Sequence, residues 1–197
     1  RGYLVVPEVI SSETCERFVR ELPAIKTAGS RRLLVNPKVR RLADDMALKA
    51  SLCSVLAGLI PVLCTYFRKS RSQNWSLRLH RDGVVPAVGA GCWRSAGRKE
   101  GIHFVRPDVD FLGSCVAVRV SLEDVPEGDL AVVPHSHILA EGRALDSGAE
   151  KAVTVRVPRG GALVCRPTLF HGSPRLTGSE HRRVLHFLYA PERLPNG

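Results

Sequence analysis

The sequence predicts a mainly β protein with helices at its N-terminal end, and three observations carry that expectation. Two amphipathic helical patterns come first, seven short β-type runs follow from residue 62 onward, and Gly, Pro, Asp and Asn punctuate those runs. Seven strands with turn-rich connections suit a sandwich or a barrel. The 197 residues, 44% hydrophobic and 24% charged, are enough for one globular domain with a sizeable core, which excludes a disordered or collagen-like chain.

Tyr3 to Val6 reads as a short apolar strand. Ser12 can cap the first helix, in which Cys15, Phe18, Val19 and Leu22 fall at i, i+3, i+4 and i+7 before Pro23 stops it. The second helix takes Asn36 as N-cap and Pro37 at its first position, with Val39, Leu42, Ala43 and Met46 on one face. The apolar run over 50–63, broken by Gly58 and Pro61, is shorter than the roughly 20 residues a membrane span needs and reads as a buried helix. Strands are then expected at 62–67, 75–80, 115–122, 130–133, 152–157, 162–165 and 184–189. Residues 83–110, rich in Gly, Pro and Arg, follow neither period and read as a long loop. The expected organisation is one domain over 1–197: a helical scaffold over 1–61, and a β core over 62–191 that carries the loop.

The six cysteines, Cys15, Cys53, Cys64, Cys92, Cys115 and Cys165, contain no CxxC pair, which fits buried thiols in the reducing cytoplasm better than disulfides or a zinc knuckle. No secretory leader pattern opens the chain, so nothing argues for secretion. A formal net charge of +10 suits a polyanionic partner such as nucleic acid, a phosphate ester or a coenzyme A thioester. The basic residues are spread along the chain rather than gathered in one block, as expected of a solvated surface.

His80-Arg81-Asp82 ends a β-type run, so strand alternation sends His80 and Asp82 to one face. His171 follows the apolar strand that ends at Cys165. Two histidines and one carboxylate on a β scaffold can form the facial triad of non-haem iron(II), which leaves three coordination positions open. Arg182, 11 residues beyond His171, enters the last strand, where a guanidinium can clamp a distant carboxylate in bidentate fashion.

The ordered set Thr65-Tyr66-Phe67-Arg68-Lys69, Asn74-Trp75, His80-x-Asp82, Leu122-Glu123-Asp124-Val125-Pro126, Pro134-His135-Ser136-His137, His171-Gly172-Ser173 and Arg182-Arg183-Val184-Leu185-His186 resembles small bacterial members of the phytanoyl-CoA dioxygenase family. The resemblance runs from about Gly2 to Pro191. It implies a double-stranded β-helix core, of the jelly-roll or cupin-like kind, and an oxygenase that uses Fe(II), 2-oxoglutarate and O2. His80, Asp82 and His171 carry over as metal ligands, and Arg182 as the clamp for the C5 carboxylate of 2-oxoglutarate with Ser173 as its helper. Arg183 is the rival clamp, but alternation sends it to the opposite face. Asn74, Lys69 and Arg119 resemble family positions near the pocket, Asn74 on the co-substrate side and Arg119 on the substrate side, while Trp75 reads as a core aromatic. Trp93, Lys99 and His103 fall in the part of the family that covers the site mouth, and with Gly89, Gly91 and Gly97 as hinges the 83–110 loop reads as a substrate-gripping lid. His181 and His186 read as strand-surface or core residues, and His135 and His137 as turn or supporting residues. Arg81 stands where many relatives have Gln, and His135-Ser136-His137 where they have Gly-Ser-His, so substrate contacts do not carry over.

The implied reaction is hydroxylation of a small, anionic metabolite with release of succinate and CO2, and the retained Asp82 favours oxygenation over halogenation. Two alternatives are weaker. A nucleic-acid oxygenase usually places another arginine six residues after the clamp, where this chain has Leu188, and a non-catalytic β-barrel module should have lost at least one ligand. No membrane partner is expected.

Overall fold

The computed structural model describes residues 1–22, 27–87, 93–125, 130–138, 151–178 and 181–192. Three antiparallel sheets are formed by β1 (Tyr3–Val6), β2 (Gly29–Ser30), β3 (Leu59–Ser70), β4 (Leu77–His80), β5 (Val85–Pro86), β6 (Arg94–Lys99), β7 (Ile102–Arg106), β8 (Val116–Ser121), β9 (Leu130–Val132), β10 (Val153–Val155), β11 (Ala162–Cys165), β12 (His171–Ser173) and β13 (His181–Pro191). The major sheet has the order β1-β11-β8-β13-β3-β2, the minor sheet β10-β9-β12-β4, and a small third sheet β5-β7-β6. Major and minor sheets are the two halves of a double-stranded β-helix, with the helices packed on the outer face of the major sheet.

Alternation decides what each sheet face does. On β13 Leu185, Phe187 and Tyr189 join Val116, Val118 and Val120 of β8 and Cys64 and Tyr66 of β3 against the helices. Arg182, His186 and Leu188 take the opposite face and line the cavity between the sheets. Both faces of β8 are buried, which is why Val-Ala-Val-Arg-Val-Ser shows little polar alternation.

Helix α1 (Ser12–Glu21) is capped by Ser11, whose Oγ accepts the Thr14 N–H at 3.2 Å, rather than by Ser12. The expected stop at Pro23 lies outside the described residues. Helix α2 (Pro37–Leu48) has the Asn36 cap, with Oδ1 accepting the Lys38 N–H at 2.9 Å, and buries Val39, Leu42, Ala43 and Met46. The Tyr189 hydroxyl donates to the Ala43 carbonyl at 2.8 Å and ties α2 to β13.

Two expectations need correction. The run over 50–63 is not one buried helix: it makes the four-residue α3 (Cys53–Leu56) and then enters β3 at Leu59, because residues 59–63 find a ladder partner in the end of β13. The scaffold and core therefore interleave, and the N-terminal β1 is itself an edge strand of the major sheet, on β11. Residues 83–110 are not a featureless loop either. They supply β5, β6 and β7 and lead into α4 (Val109–Ser114), which Asp108 caps through the Phe111 N–H at 2.7 Å. The β6–β7 turn is Glu100-Gly101, both at positive φ (52° and 78°), a geometry that matches strand twist. Gly89 and Gly91 lie outside the described residues. No described helix is long and apolar enough to cross a membrane.

Candidate active site

Strands β4 and β12 place His80 directly opposite His171. Gly172 allows the close approach, since a Cβ there would sit 2.9 Å from the Leu77 carbonyl oxygen. The two imidazole centroids are 4.4 Å apart. In each ring Nδ1 lies 2.9 Å from a carbonyl two residues back, of Arg78 for His80 and of Leu169 for His171. Donation of Nδ1–H to those carbonyls leaves both Nε2 lone pairs aimed into the cavity. Beyond β4, the Asp82 N–H donates to the Pro167 carbonyl at 2.9 Å, which turns its carboxylate back toward the rings. Oδ1 is then 3.6 Å from His80 Nε2 and Oδ2 is 3.7 Å from His171 Nε2.

Desolvation in the cavity opposes charge on Asp82. The hydrogen bond to His80 and the neighbouring imidazoles of His171 and His186 overcome it and hold its pKa well below the ordinary carboxylate value. Burial lowers the pKa of His171, so its imidazole is neutral. The donor atoms of His80, Asp82 and His171 all lie within 4.8 Å of one another, so a slight inward movement of the side chains brings all three onto one ion with bonds of about 2 Å. The hydrogen bond to Asp82 raises the pKa of His80, so a metal would take the place of a proton there; two imidazole nitrogens and a carboxylate fit a divalent first-row metal. Among the described residues this is the sole such group.

The other end of the cavity is cationic. Arg182, 3% exposed, donates to Ser173 Oγ, and Lys69, its cross-strand neighbour on β3, donates to the same Oγ at 2.7 Å. The Lys69 ammonium also bonds the Ser173 and Pro174 carbonyls and lies 4.3 Å from the centroid of Trp75. Arg183 points to the opposite face and pairs with Glu123.

The profile described as phytanoyl-CoA dioxygenase (PhyH) matches residues 1–184. The chain belongs to that family. Its members are iron- and 2-oxoglutarate-dependent enzymes, so Fe(II), 2-oxoglutarate and O2 are the cofactor and co-substrates that membership assigns. No curated protein sequence matches the chain. Among solved structures it resembles iron-bound HygX from Streptomyces hygroscopicus, at 24% identity and TM-score 0.68 over 97% of this chain and 83% of that one. It also resembles two enzymes of nogalamycin biosynthesis. These are the epimerase SnoN (17% identity, TM-score 0.66, 96% and 76% covered) and the carbocyclase SnoK (17%, 0.65, 96% and 79%). These likenesses are of fold.

Among the family positions, Asn74 does not line the cavity. Its side chain donates to the Leu176 carbonyl at 2.9 Å and accepts the Leu176 N–H at 2.8 Å, so both ends of its amide are used to hold the turn after β12. Arg119, 5% exposed, does line it, from β8, across the ladder from His186. In the 83–110 segment the alternation of β7 separates the expected gripping residues. Phe104 and Arg106 face the cavity, whereas His103 turns away to Ser95 Oγ at 2.8 Å. Lys99 lines the mouth with Arg31 and Arg106, while Trp93 packs on Phe111, ring centroids 4.6 Å apart, in the cluster of Val85, Val105 and Leu188. Trp93 and His103 are therefore not cavity residues. His137 packs against Gly2 rather than near the triad, and the His135 N–H donates to the Arg1 carbonyl at 2.9 Å.

His186, expected as a strand-surface or core residue, also lines the cavity. Its Nε2 lies 3.9 Å from Asp82 Oδ2, and burial pushes its pKa down to about 4, so it is neutral. Counting by twos along the strand from Arg182 would have put it on the cavity face.

Proposed function

We propose that the protein is an Fe(II)- and 2-oxoglutarate-dependent dioxygenase that hydroxylates a small, anionic metabolite and releases succinate and CO2. One observation carries the reading: a three-donor metal cluster and the buried Arg182 and Ser173, the latter held from behind by Lys69, line the same cavity, of about 270 Å³. His80 Nε2, His171 Nε2 and the Asp82 carboxylate would hold the metal, which when bound supplies the oxidation of an unactivated C–H bond. Arg182 and Lys69 would neutralise the distal carboxylate of 2-oxoglutarate, with Ser173 Oγ fixing the direction of approach. Phe67, Leu130 and Leu188 line the same cavity and give it an apolar wall that excludes water. Arg119 inside, and Lys99 and Arg106 at the mouth, outnumber Asp82, the one cavity carboxylate among the described residues, which supports a substrate bearing negative charge.

The reading takes residues 1–197 as one catalytic domain in a reducing cytoplasm, supported by the five described cysteines, all unpaired thiols. It involves neither nucleic acid nor membrane. The three-stranded β5-β7-β6 sheet serves as the substrate cover. Replacing Lys99 by Ala is expected to weaken substrate binding while uncoupled 2-oxoglutarate decarboxylation stays near wild type. Trp93→Ala is expected instead to lower thermal stability, by about 2–4 kcal/mol, because it empties part of a packed cluster. Equal loss of coupled and uncoupled activity in Lys99→Ala would contradict the assignment.

The defining test is a 2-oxoglutarate turnover assay with Fe(II) against a metabolite panel, detecting succinate and identifying the product. A product gaining one hydroxyl supports the proposal. An epimerised or cyclised product would keep the cofactors and replace the outcome, and absence of any Fe(II)-dependent 2-oxoglutarate consumption would overturn the reading.

A further inference from the structure

Behind the metal-ligand strands a set of contacts converges on Arg81, the residue between His80 and Asp82. Its guanidinium carbon lies 4.4 Å from the centroid of the Phe170 ring, and Nη2 donates to the Ser136 carbonyl at 2.7 Å. Phe170 immediately precedes the ligand His171, and its N–H donates to Ser136 Oγ at 2.8 Å. That hydroxyl donates onward to the Val133 carbonyl at 2.7 Å, and the Val133 N–H returns to the Phe170 carbonyl at 2.9 Å. Ser136 is 1% exposed, so its bonds are shielded from water.

We infer that Arg81 is a positioning residue for the metal site: stacked on Phe170 and bonded to Ser136, it locks the segment carrying His80 and Asp82 to the segment carrying His171. The inference rests on the metal-site reading above. The strands need such a lock, because β12 is three residues long and its pairing with β4 shifts register between His171 and Ser173. Few ladder bonds therefore hold the ligands in register. A planar guanidinium can stack on a ring and donate in its own plane at once, which an ammonium cannot. Arg81, Phe170 and Ser136 are not among the residues that line the cavity, so Arg81 acts through His80, Asp82 and His171 and not on substrate.

The test is Co(II) titration of the metal-free wild type, Arg81→Ala and Phe170→Leu, followed by visible d–d absorption, with thermal unfolding of each metal-free protein alongside. Arg81→Ala is expected to bind Co(II) about 10- to 100-fold more weakly and with an altered spectrum, its metal-free Tm staying within a few degrees of wild type. Phe170→Leu, which keeps the Ser136 bond and loses the ring, is expected to show a smaller loss in the same direction. Wild-type affinity and spectrum in Arg81→Ala would overturn the inference, as would an affinity loss that only tracks a large fall in metal-free Tm. Should Arg81→Ala not fold, unchanged Co(II) affinity in Phe170→Leu overturns it alone. A wild-type protein that binds no Co(II) would instead overturn the metal-site reading itself.

Discussion

Replacing any one of His80, Asp82 or His171 by Ala is expected to remove iron-dependent turnover of 2-oxoglutarate while leaving a folded protein. The loss should exceed about 100-fold, since even residues that only support metal ligands cost 10- to 100-fold. The three donors are spaced to share one ion, so deleting one leaves two and an open wall. His171→Ala is the most informative of the three. His171 sits on the minor sheet between β9 and β4, buried yet outside the major helix-facing core, so its truncation tests the metal more than the fold. Circular dichroism and thermal unfolding of the variants separate the two effects, and retention of more than about a tenth of wild-type turnover in any of them would contradict the assignment.

Arg182→Ala is expected to raise the 2-oxoglutarate KM at least about 30-fold, the equivalent of the 2 to 5 kcal/mol lost with a buried charge-assisted pair. Arg183→Ala is expected to leave that KM near wild type, because its guanidinium pairs with Glu123 on the far side of the sheet. Lys69 is the reason the Arg182 effect is not larger still. Its ammonium remains on Ser173 Oγ and keeps one positive charge at that end of the cavity. Steady-state kinetics on both variants decides the matter, and a greater KM rise in Arg183→Ala than in Arg182→Ala would show that the co-substrate lies elsewhere.

The parts of this site that can be read from sequence are those where one period governs a short stretch. The Arg182/Arg183 alternation is a two-residue problem that strand geometry answers, and the His80-x-Asp82 spacing holds although Asp82 lies just beyond β4, where its bond to Pro167 turns it back. The helix stripe of Val39, Leu42, Ala43 and Met46 is legible for the same reason at period 3.6. Reading fails where pairing partners decide. Residues 59–63 are as apolar as a buried helix, and only the distant end of β13 makes them a strand. The 83–110 segment hides three strands because β6 is exposed over most of its length and shifts register between Ser95 and Gly97, which breaks the period. Asn74 looks like a ligand-binding amide until the Leu176 backbone, 102 residues away, is found occupying it. The cavity face of His186 is legible too, since its spacing from Arg182 along one strand fixes the side it takes.

The most direct measurement of the central claim is anaerobic visible absorption of the metal-free protein on addition of Fe(II), 2-oxoglutarate, or both. If one cavity holds the metal through His80, Asp82 and His171 and the co-substrate through Arg182, a charge-transfer absorption develops only when both are present. It then requires much more 2-oxoglutarate in Arg182→Ala and is absent in His171→Ala. No absorption in the wild type at saturating Fe(II) and 2-oxoglutarate, or an undiminished one in His171→Ala, would contradict the account.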